Sequence, residues 1–383
     1  MLRLFSLSTF SLFSFLSAAC LSNNNSSAKE FTTISNLPKK TSPTKILIMS
    51  QPLIIGGVER ALINMVNALD LQRVQPELVL IGRKQEAILE KELRKDVPII
   101  SFKEACRKHY DVAISYYQFH DPDIYINKIK AEKRIQWIHG DMVTFPPPIV
   151  LKQKCKNLDR FVCVSGRVRD SFLKFHPDLQ EKAVVTPNIV DNLHIINNAE
   201  VSLAQELKQD DILNVVTVSR LHSKKGLRTA LQAHKRLDSE GIHFRWYIVG
   251  EGEERKILEK LIRQYGLQNK FILLGNRKNP YPYIKKADLF VLPSESEGYS
   301  TVLIEAKILK KPIMTTDIGG AREEICSGEN GLIVENSEEA IYQGLKKMVV
   351  DTALREKFAF ALKDFEYDNA KILSSIYETL ETQ

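Results

Sequence analysis

The stretch DLFVLPSESEGYSTVLIEA (residues 288–306) holds one complete βα step. DLFVL is a short apolar run bounded by turn residues, which reads as a buried strand. SESEG (294–298) is the loop that leaves it, and Gly298 there permits backbone angles closed to other residues. A helix follows, with Glu305 one to two turns inside it. Free N–H groups at Gly298, Tyr299 and Ser300 would point out of the helix start, a favourable place for a phosphate or a sugar. Glu297 would stand beside such a ligand, and carboxylates accept hydrogen bonds from vicinal sugar hydroxyls. The same residues also fit a plain helix start with one helical ion pair.

Working outward, the same alternation recurs along the chain. In the first half, strands are expected at 45–50, 76–81, 111–116, 135–139, 160–165 and 183–187, with a helix over 58–69. Pro187, Asn188, Asp191 and Asn192 cluster between two patterned regions and mark a linker. The pattern then restarts, with strands expected at 214–219, 244–249, 271–275, 288–292, 311–316 and 331–335, and long helical patterns from Ser337 onward. Two successive βα arrays imply an α/β protein of two Rossmann-like domains facing a cleft. The expected division is a signal-like or disordered segment over 1–44, an N-terminal Rossmann-like domain over 45–190, a C-terminal Rossmann-like domain over 191–360, and a closing helix over 361–383 that packs back on the N-terminal domain.

Three further motifs leave strands of this pattern. SRLHSKKG (219–226) places Arg220 and Lys225 at a strand's carboxyl end, where a guanidinium fork and an ammonium suit a diphosphate. Surface cations capping nearby helices would look the same. IIGGVER (54–60) opens the first helix, and Gly56 and Gly57 fit either a phosphate-facing loop or a tight turn. It lacks the full G-x-G-x-x-G spacing of a dinucleotide site. VGEGEER (249–255) offers Gly250 in a turn against which a nucleoside could lie. His139, in QWIHGD, follows a strand and fits a structural histidine as well as a cleft residue.

In order and spacing these motifs resemble the retaining glycosyltransferases of family 4 (glycosyl transferase group 1), which have the GT-B fold. The resemblance spans roughly residues 45–350 and is strongest from Val215 to Val334. It implies that Arg220, Lys225 and Gly226, the R-L-x-x-x-K-G element, hold the donor's diphosphate. It places Glu297 at the transferred sugar and Glu305 at the nucleoside ribose, with Gly56 and Gly57 facing the diphosphate across the cleft. His139 matches a position where the family has a histidine near the donor sugar. The family's Pro-Asn-Gly-Val-Asp run is Pro187-Asn188-Ile189-Val190-Asp191 here, with Ile189 in place of glycine. The implied chemistry is sugar transfer from a nucleotide-diphospho-sugar to an acceptor hydroxyl with retention, in cell-surface glycan, capsule or lipopolysaccharide synthesis. A sugar-nucleotide epimerase or phosphorylase of the same fold, or a non-catalytic exported sugar-nucleotide-binding lipoprotein, are the alternatives.

Composition bounds the partners. Of a formal net charge of +7, residues 45–190 carry +6, with 23 Lys and Arg against 17 Asp and Glu, while residues 191–383 carry −2. A basic N-terminal half suits an anionic partner: a glycan or lipid-linked acceptor, with peripheral membrane contact. No nucleic-acid module is recognisable. Asp121-Pro122-Asp123 spells an Asp-x-Asp but lacks a second ligand group, so it reads as a helix N-cap, with no obligatory metal or cofactor. Five scattered cysteines fit reduced thiols and a cytoplasmic site or the cytoplasmic face of a membrane. The opening MLRLFSLSTFSLFSFLSAAC instead has the outline of a secretory or lipoprotein segment ending at Cys20, or else of a start placed too far upstream.

Overall fold

The computed structural model describes residues 42–54, 56–82, 88–117, 126–141, 157–201, 205–207 and 210–381. The Asp121-Pro122-Asp123 triplet, Cys20 and almost all of the 1–44 segment lie outside these residues. Ser42–Gln383 forms one compact unit.

Twelve strands occur among the described residues, each overlapping an expected segment. In the first half they are β1 (Thr44–Ser50), β2 (Val74–Leu80), β3 (His109–Ser115), β4 (Lys130–Ile138), β5 (Arg160–Cys163) and β6 (Ala183–Val185). In the second they are β7 (Asn214–Val218), β8 (Arg245–Val249), β9 (Phe271–Gly275), β10 (Leu289–Leu292), β11 (Ile313–Thr316) and β12 (Leu332–Val334). All neighbouring strands pair in parallel. Parallel sheets are covered on both faces, which is why strands such as β1 are runs without alternation: Ile46, Leu47, Ile48 and Met49 are all fully buried. β4 starts five residues before the expected segment, because its polar beginning, Lys130–Arg134, still pairs with β3.

Strand order decides where ligands can sit. The first sheet runs β2-β1-β3-β4-β5-β6 and the second β12-β11-β10-β7-β8-β9. In the second sheet the order reverses between β7 and β10, leaving a crevice beyond their carboxyl ends. The loops that leave those two strands are SRLHSKKG and SESEG. In the first sheet the reversal lies between β1 and β3, and the loop leaving β1 leads through Gly56 into helix α1 (Gly57–Ala68).

The helices used below are α2 (Gly166–Phe175), α3 (Asn192–Ala199), α4 (Leu227–Ser239), α5 (Thr301–Ile308) and α6 (Asn369–Glu381). α6 lies against the first sheet's elements. The Tyr377 hydroxyl accepts the Asp70 N–H at 2.7 Å, Lys133 Nζ donates to the Thr379 carbonyl at 2.7 Å, and Arg73 grips the Glu381 carboxylate at 2.8 and 2.9 Å. At the start of α6 the chain clasps the linker. Asn369 accepts the Val190 N–H and donates to its carbonyl, while the Tyr367 hydroxyl donates to the Asn188 carbonyl at 2.9 Å. Ile189, the departure from the family pattern noted above, needs no left-handed backbone; it is 3% exposed and its carbonyl accepts from Asn64.

Cys106 and Cys163 are free thiols, whereas Cys326 is disulfide-bonded, which corrects the expectation of an entirely reduced set.

In the second half's core, His234 of α4 is fully buried and stacks on Phe244 with ring centroids 4.0 Å apart, beside Trp246 and Phe271. Burial pushes its imidazole down to about 4. The native state therefore stays unprotonated where the unfolded chain takes a proton, and stability falls as pH drops from about 6.5 towards 4. His234→Phe should flatten the decline of melting temperature across that interval, removing up to about 3 kcal/mol of acid sensitivity. An unchanged slope in thermal unfolding would disprove the assignment.

Candidate active site

The two loops at the β7/β10 crevice are bound to each other. Lys225 Nζ donates to Glu297 Oε1 at 2.5 Å, and both side chains are only 16% exposed. Ser294 Oγ donates to the same oxygen at 2.8 Å. A backbone bond from the Glu295 N–H to the Lys224 carbonyl, 2.8 Å, is a second tie between the loops. Gly226 makes this approach possible. It has φ +64°, and a Cβ there would stand 1.9 Å from the Pro293 carbonyl oxygen. The glycine of the lysine-glycine pair thus lets one loop press on the other.

Arg220 is exposed in the crevice, and among the described residues no side-chain partner engages its guanidinium. An exposed guanidinium that no side chain hydrogen-bonds, with only the more distant Glu59 carboxylate acting on it, is the pattern of a site that can take an anion. The start of α5 adds to it: Ser300 is the N-cap and makes no side-chain capping bond, so the first N–H groups of this helix are left for a ligand.

Glu305 is 8% exposed, and burial raises its carboxyl to about 7, opposed by Arg60 across the cleft. Arg60 itself pairs with Glu92. Arg60, Asn64, Asp191, His194, Tyr281 and Glu305 line a pocket built from α1, the linker and the second half. Glu297 and Glu305 therefore face different surroundings. The first is an ion-paired carboxylate at the crevice, the second a nearly dry carboxyl in a pocket.

The two halves meet beside Glu297. A Cβ on Gly298 would lie 1.7 Å from the His139 carbonyl oxygen, so the backbones touch. That contact, rather than an unusual dihedral angle, is what requires glycine here; Gly298 is not among the positive-φ residues. Ser165 Oγ donates to the Gly298 carbonyl at 2.8 Å, and the Gly166 N–H at the start of α2 donates to Glu323 Oε1 at 2.8 Å. The His139 ring packs on Tyr116 at 4.6 Å, and desolvation lowers its imidazole to about 3, so it is neutral at pH 7.

Tyr299 and Gly250, two of the expected donor contacts, also make bonds within the protein. The Tyr299 hydroxyl is bonded to Glu324 at 2.6 Å and to Tyr367 at 2.7 Å, leaving its ring in the core and only its backbone near the crevice. Gly250 has φ +148°, donates its N–H to the Gly275 carbonyl, and lies where a Cβ would stand 1.9 Å from the Ser219 carbonyl. Its lack of a side chain is explained by close strand-end packing. Gly57 has open space around its Cβ position, whereas Gly56 has the Glu59 carboxylate against it. Glu59 is a cleft residue the motif reading passed over, although a glutamate at the third position of a helix is a recognisable capping signal. Among the described residues no group of three or more His, Cys, Asp or Glu could hold a metal ion.

Residues 199–363 match the family model of glycosyl transferases group 1. The chain is 33% identical over 186 residues to the N-acetylgalactosamine-N,N'-diacetylbacillosaminyl-diphospho-undecaprenol 4-alpha-N-acetylgalactosaminyltransferase of Campylobacter jejuni, covering 47% of this chain and 50% of that protein. It is 30% identical over 141 residues to the capsular polysaccharide biosynthesis glycosyltransferase CapM of Staphylococcus aureus, covering 36% of this chain and 37% of that one. The chain thus spans about half the length, or less, of these curated relatives. The crystal structure of Anabaena Alr3699/HepE in complex with UDP-glucose superposes with a TM-score of 0.74 at 20% identity, covering 89% of this chain and all of that one. The structural likeness establishes the GT-B fold, two Rossmann-like halves about a cleft. The family match supports the glycosyltransferase family.

Gly298→Ala should prevent the two backbones from meeting while leaving each sheet intact. The expected result is a larger radius of gyration by small-angle scattering and a roughly 100-fold or greater loss of any cleft activity, with native circular dichroism. An unaltered radius and full activity would show that closure does not depend on this contact.

Proposed function

We propose that this chain is a glycosyltransferase that moves a sugar from a nucleotide-diphospho-sugar to an acceptor hydroxyl. The observation that carries the reading is the pair of loops at the second sheet's reversal. They set Arg220 open beside a Lys225–Glu297 ion pair at the uncapped start of α5. A diphosphate fits that place: Arg220 offers a planar fork, Lys225 a point charge, and the helix start its free N–H groups. The family match over 199–363 covers this half of the chain.

In the reaction, the bond from the sugar's anomeric carbon to the diphosphate oxygen breaks and a bond to the acceptor oxygen forms. Arg220 and Lys225 stabilise the charge that develops on the departing diphosphate, the task a metal ion performs elsewhere, so no obligatory metal is required. Glu297 holds hydroxyls of the transferred sugar, and Glu305 holds the ribose. The acceptor hydroxyl attacks on the face from which the leaving group departs, giving retention, and its proton passes to the departing phosphate oxygen. Water is excluded by the contact of Gly298 with His139, while neutral His139 stands at that junction as a hydrogen-bonding group and not as a cation.

The basic first half receives the acceptor. The relatives' names point to acceptors of glycan or lipid-linked type, since one acts on a diphospho-undecaprenol-linked sugar and another serves capsular polysaccharide synthesis. Among the described residues no helix is long and apolar enough to cross a membrane. Work at the cytoplasmic membrane surface, reached through the basic half, suits this reading.

The direct test is to incubate the protein with UDP-, GDP- and ADP-sugars, with and without glycan acceptors, and to measure nucleoside diphosphate release and product. One donor should be consumed faster with acceptor, and the product should keep the anomeric configuration. Epimer formation or phosphorolysis without transfer would refute the reading. Glu305→Ala should weaken nucleoside diphosphate binding about 10-fold. Glu297→Ala should lower kcat by roughly 100-fold or more with a smaller change in binding. Equal effects on binding and turnover from both changes would refute the division of roles.

A further inference from the structure

Glu59 is the third residue of α1, and it is 3% exposed. It sits in the helix's first turn, where the donor's phosphates are expected from the other side of the cleft. Its side chain folds back over the loop. Oε2 lies 2.2 Å from the place a Cβ on Gly56 would take, Gln51 Nε2 donates to Oε1, and the carboxylate also takes the N–H of Glu59 itself. Gly56 is the N-cap and brings no capping side chain, so the glutamate satisfies this helix start from within. The space that glycine leaves is therefore filled by an internal anion.

Across the cleft the cation facing this carboxylate is Arg220, which acts to lower its pKa against the rise that burial causes. Tyr116 and Tyr117 are the other titratable groups that face it. The charges then balance. Arg220 and Lys225 contribute two positive charges, and Glu297 and Glu59 two negative ones. A diphosphate brings about two more negative charges against these carboxylates, which is unfavourable unless one of them yields. Glu297 is fixed by an ammonium and a hydroxyl. Glu59 is anchored by the neutral Gln51 amide and its own N–H, so it is the one free to yield.

Resting on the donor reading above, we propose that Glu59 is an internal stand-in for the donor's diphosphate. It occupies the Gly56 cradle and balances Arg220 while the cleft is empty, and the diphosphate competes with it for both. An arriving anion further opposes the ionised form of Glu59, so binding is accompanied by proton uptake there. The cleft thereby avoids an uncompensated Arg220 when empty and releases product more readily than an open cradle would.

Isothermal titration with inorganic pyrophosphate and with UDP, GDP and ADP tests this, run in buffers of different ionisation enthalpy at pH 7. Glu59→Gln should bind pyrophosphate and the preferred nucleoside diphosphate about 5- to 20-fold more tightly than wild type, with less proton uptake. Glu59→Asp keeps the charge but is too short to reach Gly56, so it should fall between the two, and it serves if the glutamine variant folds poorly. Binding by Glu59→Gln at wild-type strength or weaker, with an unchanged melting temperature, overturns the stand-in and leaves the donor reading intact. Failure of wild type to bind pyrophosphate or any of the three nucleotides overturns both.

Discussion

The bond between Lys225 and Glu297 is the constraint on which the rest of the site depends. It joins the loops that leave β7 and β10, the two strands between which the second sheet reverses its order. Without it, a lysine and a glutamate would face a crevice as separate solvated charges of little consequence. With it, each fixes the other: the ammonium is held at the crevice, and the carboxylate is oriented by two donors on one oxygen. Gly226 is subordinate to this bond, because only a residue without Cβ lets the first loop lie on the Pro293 carbonyl.

A second layer of contacts brings the other half of the chain to this pair. Gly298, next to Glu297, touches the His139 backbone and accepts from Ser165, so the loop that carries Glu297 also forms the junction between the halves. Tyr299, one residue further, ties the loop to Tyr367, and Tyr367 is bonded to the linker at Asn188. Residues 297–299 thus connect the charge pair, the cleft and the linker in three consecutive positions. Two hydroxyl groups thus join the linker to the loop beside the crevice.

Much of this was legible in the sequence. Parallel sheets buried on both faces produce continuous apolar runs, so all twelve strands overlap segments marked by composition alone. β4 was only partly visible, since Lys130–Arg134 carries three cations and is recognisable as strand only through its pairing with β3. Arg220, Lys225 and Glu297 were marked by their place in loops at strand carboxyl ends, and the fold brings Lys225 and Glu297 into contact there. The meaning of the glycines was less so. Gly250 and Gly298 serve backbone contacts with residues 31 and 159 positions away, Ser219 and His139, and no local pattern encodes such distances. The clasp of Tyr367 and Asn369 on the linker spans 179 positions and is equally silent in the sequence. Glu59 could have been found from its spacing after Gly56, but only the folded chain reveals that its carboxylate lies in the cradle.

The central claim is that Arg220 and Lys225 hold a nucleoside diphosphate in this crevice. Phosphorus NMR of UDP, GDP and ADP titrated with the protein tests it most directly. The account predicts that both phosphorus resonances of at least one nucleotide shift with wild type and stay at their free positions with an Arg220→Ala, Lys225→Ala double variant. Equal shifts with the double variant, or none with wild type, would contradict it.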